Sequence, residues 1–184
     1  YDDDWFGVID IHPVASASMV QKIPAQYASG EIEIWDDYAY LEIFNLFTII
    51  DISTPDFPEI VFEYETHATS QYEVDDGYAF LTGICFDSGL NVYDVYPPDD
   101  FHAVEYCNTG CPTNALELAY GYAFIGSSDE EQGAPTLGAY DVDPVTLSHE
   151  VATLEVPSYF WDIDMDGEYI FASGSSGLYI IKLW

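Results

Sequence analysis

The chain has no arginine and only two lysines, Lys22 and Lys182, against 34 acidic residues, for a formal net charge of −32 over 184 residues. That one-signed balance excludes electrostatic binding to nucleic-acid phosphates or anionic lipid as a main activity, because like charges repel. No apolar run reaches the roughly 18 residues a spanning helix needs, so membrane insertion is not expected. The start at Tyr1 lacks Met and a basic stretch, as expected of a chain whose leader has been removed. Helical periodicity is scarcely visible. There is no phosphate-cradling glycine loop and no nucleophile elbow, and His12, His67, His102 and His149 are too dispersed to form an evident catalytic set.

The chain is rich in core-forming residues, at 49% hydrophobic and 17% aromatic. It can therefore bury a substantial core, and one compact domain over residues 1–184 is the default expectation. One phrase is written four times. Asp36-Asp37-Tyr38-Ala39-Tyr40-Leu41 is followed by a strand ending Ile50-Asp51-Ile52. Gly77-Tyr78-Ala79-Phe80 then leads to Tyr93-Asp94-Val95, and Gly121-Tyr122-Ala123-Phe124 to Tyr140-Asp141-Val142. Glu168-Tyr169-Ile170-Phe171 closes the series before Ile181-Lys182-Leu183. Tyr38, Tyr78, Tyr122 and Tyr169 recur at intervals of roughly 40–47 residues, and several short strands per interval are the mark of propeller blades.

The expected fold is all-β, a β-propeller of about four blades built from four-stranded units. Residues 31–70, 71–113 and 114–157 make complete blades with strands A to D, the third carrying an insertion at residues 127–134, and residues 158–184 supply strands A to C of a fourth. Residues 1–30 read as a strand C and a strand D, so strand D is expected to complete the fourth blade and close the ring. The strand Phe6-Gly7-Val8-Ile9-Asp10-Ile11 is then surplus. It either adds a fifth strand to its own last blade or is donated to a neighbouring copy.

These cues, Tyr-Ala-Tyr/Phe followed by Ile-Asp-Ile or Tyr-Asp-Val and then Pro55 and Pro58 before Ile60-Val61, resemble the LVIVD-repeat family over about residues 7–183. The resemblance implies a secreted, propeller-forming protein at the cell surface or outside the cell and says little about chemistry. Lys182 departs from the pattern, standing where the other copies have Asp.

Five places before each marker Tyr stand Glu33, Glu73, Glu117 and Asp164, flanked by apolar residues, so strand alternation puts the four acids on one face of the innermost strands. As a ring about 6 Å apart, at an effective dielectric of about 20, each adjacent pair would repel by roughly 3 kcal/mol. A bound cation would relieve this, and an all-oxygen set suits Ca2+. The other reading is a splayed, solvated channel mouth. A second cation candidate is Asp162-Ile163-Asp164-Met165-Asp166-Gly167, the first half of a calcium loop, although turn chemistry alone also explains it. Asp10, Asp51, Asp94 and Asp141 are expected to accept backbone N–H bonds at the end of strand C.

Cys107 and Cys111 flank a short turn and are expected to form a disulfide, consistent with an extracellular setting, while a zinc set lacks further ligands. The functional expectation is a non-catalytic extracellular structural or interaction protein that self-assembles into a filament or layer and is stabilised by cations. The alternative is a glycan- or peptide-binding propeller with Tyr159, Phe160 and Trp161 on its ligand face. A Ca-dependent propeller hydrolase is the third reading.

Overall fold

The computed structural model describes residues 5–12, 14–25, 28–43, 45–66, 69–83, 89–109, 112–127 and 134–183. Seventeen strands are present among the described residues. A hairpin of β1 (Trp5–Asp10) and β2 (Ser18–Pro24) is followed by β3 (Ala28–Trp35), β4 (Tyr38–Ile43), β5 (Leu46–Asp51) and β6 (Glu59–Glu65). Then come β7 (Thr69–Asp75), β8 (Tyr78–Gly83), β9 (Gly89–Asp94) and β10 (His102–Asn108), and after them β11 (Thr113–Ala119), β12 (Tyr122–Ser127), β13 (Thr136–Asp141) and β14 (His149–Glu155). The last three are β15 (Phe160–Asp166), β16 (Tyr169–Gly174) and β17 (Gly177–Lys182). They form three four-stranded meanders, β3 to β6, β7 to β10 and β11 to β14, together with a three-stranded sheet, β15 to β17, and the two-stranded β1–β2.

By compactness the chain divides into two units. The first comprises Tyr1–Thr66, Val74–Gly77 and Tyr96–Asp100, and the second His67–Glu73, Tyr78–Val95 and Phe101–Trp184.

The repeated phrase is the turn between the first two strands of each sheet. Asp76 and Gly77 both have positive φ, as do Tyr120 and Gly121, which is what a two-residue hairpin turn with the twist of its strands requires. The same backbone bond ties the third strand to that turn in three sheets: Ile52 N–H donates to Asp37 O, Val142 to Gly121 and Leu183 to Glu168. The Asp at the end of strand C acts as expected, with Asp10, Asp51 and Asp141 accepting the backbone N–H of His12, Ser53 and Asp143 at 2.8, 2.8 and 3.0 Å.

Register identifies the N-terminal hairpin. Asp51 faces Glu59, Asp94 faces His102, Asp141 faces His149, and Asp10 faces Ser18 at the same offset, so β1 and β2 are a strand C and a strand D. They pair with each other in a two-stranded sheet, and the last sheet has three strands, so closing of the ring by strand D is not seen. Closing a short hairpin costs far less chain entropy than a pairing across the whole sequence.

In the first unit the hairpin packs on the first sheet, with Phe6 and Ile23 against a cluster of Ala25, Ala39, Leu41, Ile43 and Ile50. In the second unit two cores form between successive sheets. Phe80, Leu90, Val92, Leu116, Ile125 and Tyr140 make one. Phe124, Leu137, Phe160, Ile163 and Ile170 make the other. At about 25 cal/mol per Å2 of apolar surface, these interlayer contacts are the main stabilising term of each unit.

Candidate functional site

The acidic column lies on the first strand of each sheet, as the alternation requires. Glu33, Glu73 and Glu117 are half-buried and Asp164 is exposed. Among the described residues no three His, Cys, Asp or Glu side chains gather as a metal-holding group. Glu73, Glu117 and Asp164, which share the second unit, are not gathered as a ligand set, and Glu33 lies in the first unit.

Glu73 has another task. Its carboxylate accepts the backbone N–H of Leu118 at 2.9 Å, and two residues earlier Gln71 Oε1 accepts that of Leu116 at 2.7 Å. An innermost strand has no ladder on one side, and here β7 side chains supply the acceptors that β11 lacks, satisfying groups that would otherwise cost a desolvation penalty. Burial, with a smaller contribution from the charge of Glu31, pushes the Glu33 carboxyl above its ordinary range.

The calcium-loop residues are not brought together as a group: Asp162, Asp164 and Asp166 lie in extended β15, where alternate residues stand about 7 Å apart and the outer two about 13 Å. Cys107 is a free, buried thiol whose Sγ donates to Ser148 O at 3.3 Å, which corrects the expected disulfide, and Cys111 lies outside the described residues. Its place on β10 turns the side chain into the core, and burial together with nearby Glu105 raises its pKa.

Tyr159, Phe160 and Trp161 do not present one face. Phe160 is fully buried against Tyr179, with ring centroids 5.5 Å apart, while Trp161 is exposed, as strand alternation demands.

Sequence reasoning missed an aromatic cluster in the first unit. Trp35 and Tyr38 bracket the turn of the first sheet, and Tyr96 follows strand C of the second. The Tyr96 ring meets Trp35 at 5.2 Å between centroids and 81° between planes, and Tyr38 at 6.1 Å and 70°. Gly77 lies beneath, where an added Cβ would come within 3.2 Å of Tyr96 Cβ and 3.5 Å of the Trp35 ring. Trp35 and Tyr96 lie far apart in sequence and in different repeats, so no local pattern joins them.

The two ends of the array differ from its interior. Ile32 and Ile34 on β3 are 52% and 56% exposed, whereas Tyr72, Leu116 and Ile163, which occupy the place of Ile32 in later sheets, are buried. At the other end Leu178 and Ile180 on β17 are 67% and 61% exposed, whereas Ile49 and Val92, in the place of Ile180, are fully buried.

Sheets of this repeated four-stranded form define a β-propeller fold, and known structures agree. The chain is similar to the computationally designed Ika4 protein, with a TM-score of 0.65 and 10% identity over 86% of this chain and 92% of that one. It is similar to BamB from Moraxella catarrhalis, with a TM-score of 0.63 and 10% identity over 86% and 42% of the two chains. It is also similar to Hsv2 of Kluyveromyces lactis, with a TM-score of 0.67 and 11% identity over 97% and 54%. The chain thus spans about half the length of these two natural propellers. Residues 28–66, which span the first complete blade, match the model of the LVIVD repeat. No curated protein matches the sequence.

Proposed function

We propose that this propeller is a non-catalytic structural and interaction protein, acting at the cell surface or outside the cell, whose copies associate head to tail through the two ends of the blade array. The observation that carries this is the pair of exposed apolar faces. The β3 face with Ile32 and Ile34 and the β17 face with Leu178 and Ile180 occupy places that the other sheets bury wholly or in part. A hairpin that is only the C and D half of a blade covers Ala39 and Leu41 but leaves their cross-strand partners Ile34 and Ile32 bare. A blade of a second copy presents the complementary face. Such heterologous contact propagates into a filament unless it closes.

Strand donation is replaced by face packing in this reading, because β1 is already paired. Cations, Ca2+ included, would act on the dispersed carboxylates as diffuse counter-ions, relieving the self-repulsion of a −32 chain. A glycan face at residues 159–161 is disfavoured by the burial of Phe160.

Sedimentation of the purified protein across the micromolar range tests the proposal. A mass that rises with concentration is expected, and a monomer at every concentration overturns it.

A further inference from the structure

We propose, on the basis of head-to-tail association, that Asp162 and Asp164 on β15 of one copy accept the open backbone N–H groups of Ile32 and Ile34 on β3 of the next, locking the contact in register. The template for such a lock is inside the chain. Gln71 and Glu73, seven and five residues before the marker Tyr78, accept the N–H groups of Leu116 and Leu118, six and four residues before Tyr122. One innermost strand supplies side-chain oxygens, and the innermost strand of the next sheet supplies amides.

The acceptor half recurs at the C-terminal end. Asp162 and Asp164 stand seven and five residues before Tyr169, in the places of Gln71 and Glu73. Strand pairing sets Asp162 in a row with Ser173 and Leu178, and Asp164 in a row with Phe171 and Ile180. Residues directly opposite one another in antiparallel strands share a face, so both carboxylates lie on the bare face that carries Leu178 and Ile180. They are exposed and accept no hydrogen bond among the described residues.

The donor half recurs at the other end. Ile32 and Ile34 stand six and four residues before Tyr38, in the places of Leu116 and Leu118. Their ladders match: Ile32 faces Leu41 and Ile34 faces Ala39, as Leu116 faces Ile125 and Leu118 faces Ala123. Alternate residues of an antiparallel strand turn their N–H groups to opposite edges, so the same register sends these two amides to the side of β3 away from β4. β3 is an edge strand, and among the described residues nothing accepts them. Each end holds what the other lacks. Both aspartates are one methylene shorter than Gln71 and Glu73, so β15 and β3 must approach more closely than β7 and β11 do.

Analytical ultracentrifugation of the full chain tests the lock. Asp162→Ala with Asp164→Ala should weaken association about a hundredfold, about tenfold for each acceptor lost. The sign is informative, because removing two negative charges from each copy of a −32 chain relieves repulsion and by itself favours association. Asp162→Asn with Asp164→Asn keeps an oxygen at each place and should stay within a few-fold of the wild type, while Asp166→Ala, which removes a charge but no acceptor of the pair, should not weaken association at all. Hydrogen exchange followed by NMR should find the Ile32 and Ile34 amides slowed when the wild type associates, a readout that needs no variant to fold. An alanine variant that associates as tightly as the wild type, or Ile32 and Ile34 amides that exchange equally fast in the assembled protein, would overturn the lock and leave head-to-tail association standing. A wild type that is monomeric at every concentration would overturn both.

Discussion

Replacing Glu73 separates a backbone acceptor from a metal ligand. In the structure its carboxylate receives the Leu118 N–H at 2.9 Å across two sheets of the second unit. A hydrogen bond to a charged acceptor is worth about 1.5–3 kcal/mol net, and Glu73→Ala forfeits it while leaving a half-buried donor unsatisfied. For a chain of this size each kcal/mol shifts Tm by about 2–4 °C, so a loss of about 3–12 °C is expected. Glu73→Gln keeps an acceptor oxygen in place and should lose no more than about 1 kcal/mol, offset by relief of like-charge repulsion. Gln71→Ala should cost about 1 kcal/mol through the neighbouring Leu116 bond at 2.7 Å. Thermal melts followed by circular dichroism, with and without chelator, read all three. An unchanged Tm in Glu73→Ala would refute the reasoning. So would Glu73→Gln being as damaging as Ala and abolishing a chelator-sensitive transition, since that pattern belongs to a metal ligand.

Three other outcomes follow from the same geometry. Glu42 is buried, and burial raises its pKa against a partial offset from the Thr66 hydroxyl, which donates to it at 3.3 Å. The folded state therefore keeps a proton that the unfolded chain has released, so this group's stabilising contribution is full in acid and falls as pH climbs from about 4.5 through the raised folded value. Glu42→Gln should flatten that fall and raise Tm at neutral pH but not in acid, and a Tm lowered equally at both would contradict it. Phe160→Ala, which empties a fully buried ring position, should cost about 3–5 kcal/mol by denaturant unfolding, and a loss below about 1 kcal/mol would show that the core there is not packed as described. Added NaCl should raise Tm, and CaCl2 at equal ionic strength should raise it no further than diffuse divalent binding allows, whereas a saturable micromolar calcium effect would restore a specific site.

The repeat was legible because its cues are local. The Asp at the end of strand C, the two-residue turn and the marker Tyr each act within a few residues, and so the three full sheets and the C–D identity of the hairpin follow from spacing. What the hairpin joins beyond itself was not legible, since strand counting treats local and distant partners alike while chain entropy does not. The acidic column was found, but its work at Glu73 was hidden. A carboxylate facing a channel and one reaching a backbone N–H on the next sheet have the same alternation. Phe160 was misplaced for a related reason: three consecutive aromatics in a strand cannot share a face. The Trp35, Tyr38 and Tyr96 cluster joins two repeats through space, and nothing in either repeat announces the other.

The central claim is that the two ends of the array recognise each other, and one mixing experiment tests it most directly. Ile32→Glu with Ile34→Glu blocks the β3 end, and Leu178→Glu with Ile180→Glu blocks the β17 end. These positions are exposed, so each variant should keep its fold by circular dichroism. Analytical ultracentrifugation should find the wild type associating, each variant alone monomeric, and their equimolar mixture forming dimers and nothing larger, because only one competent end remains on each partner. Either variant alone assembling like the wild type, or a mixture that stays monomeric while the wild type associates, would contradict the head-to-tail account.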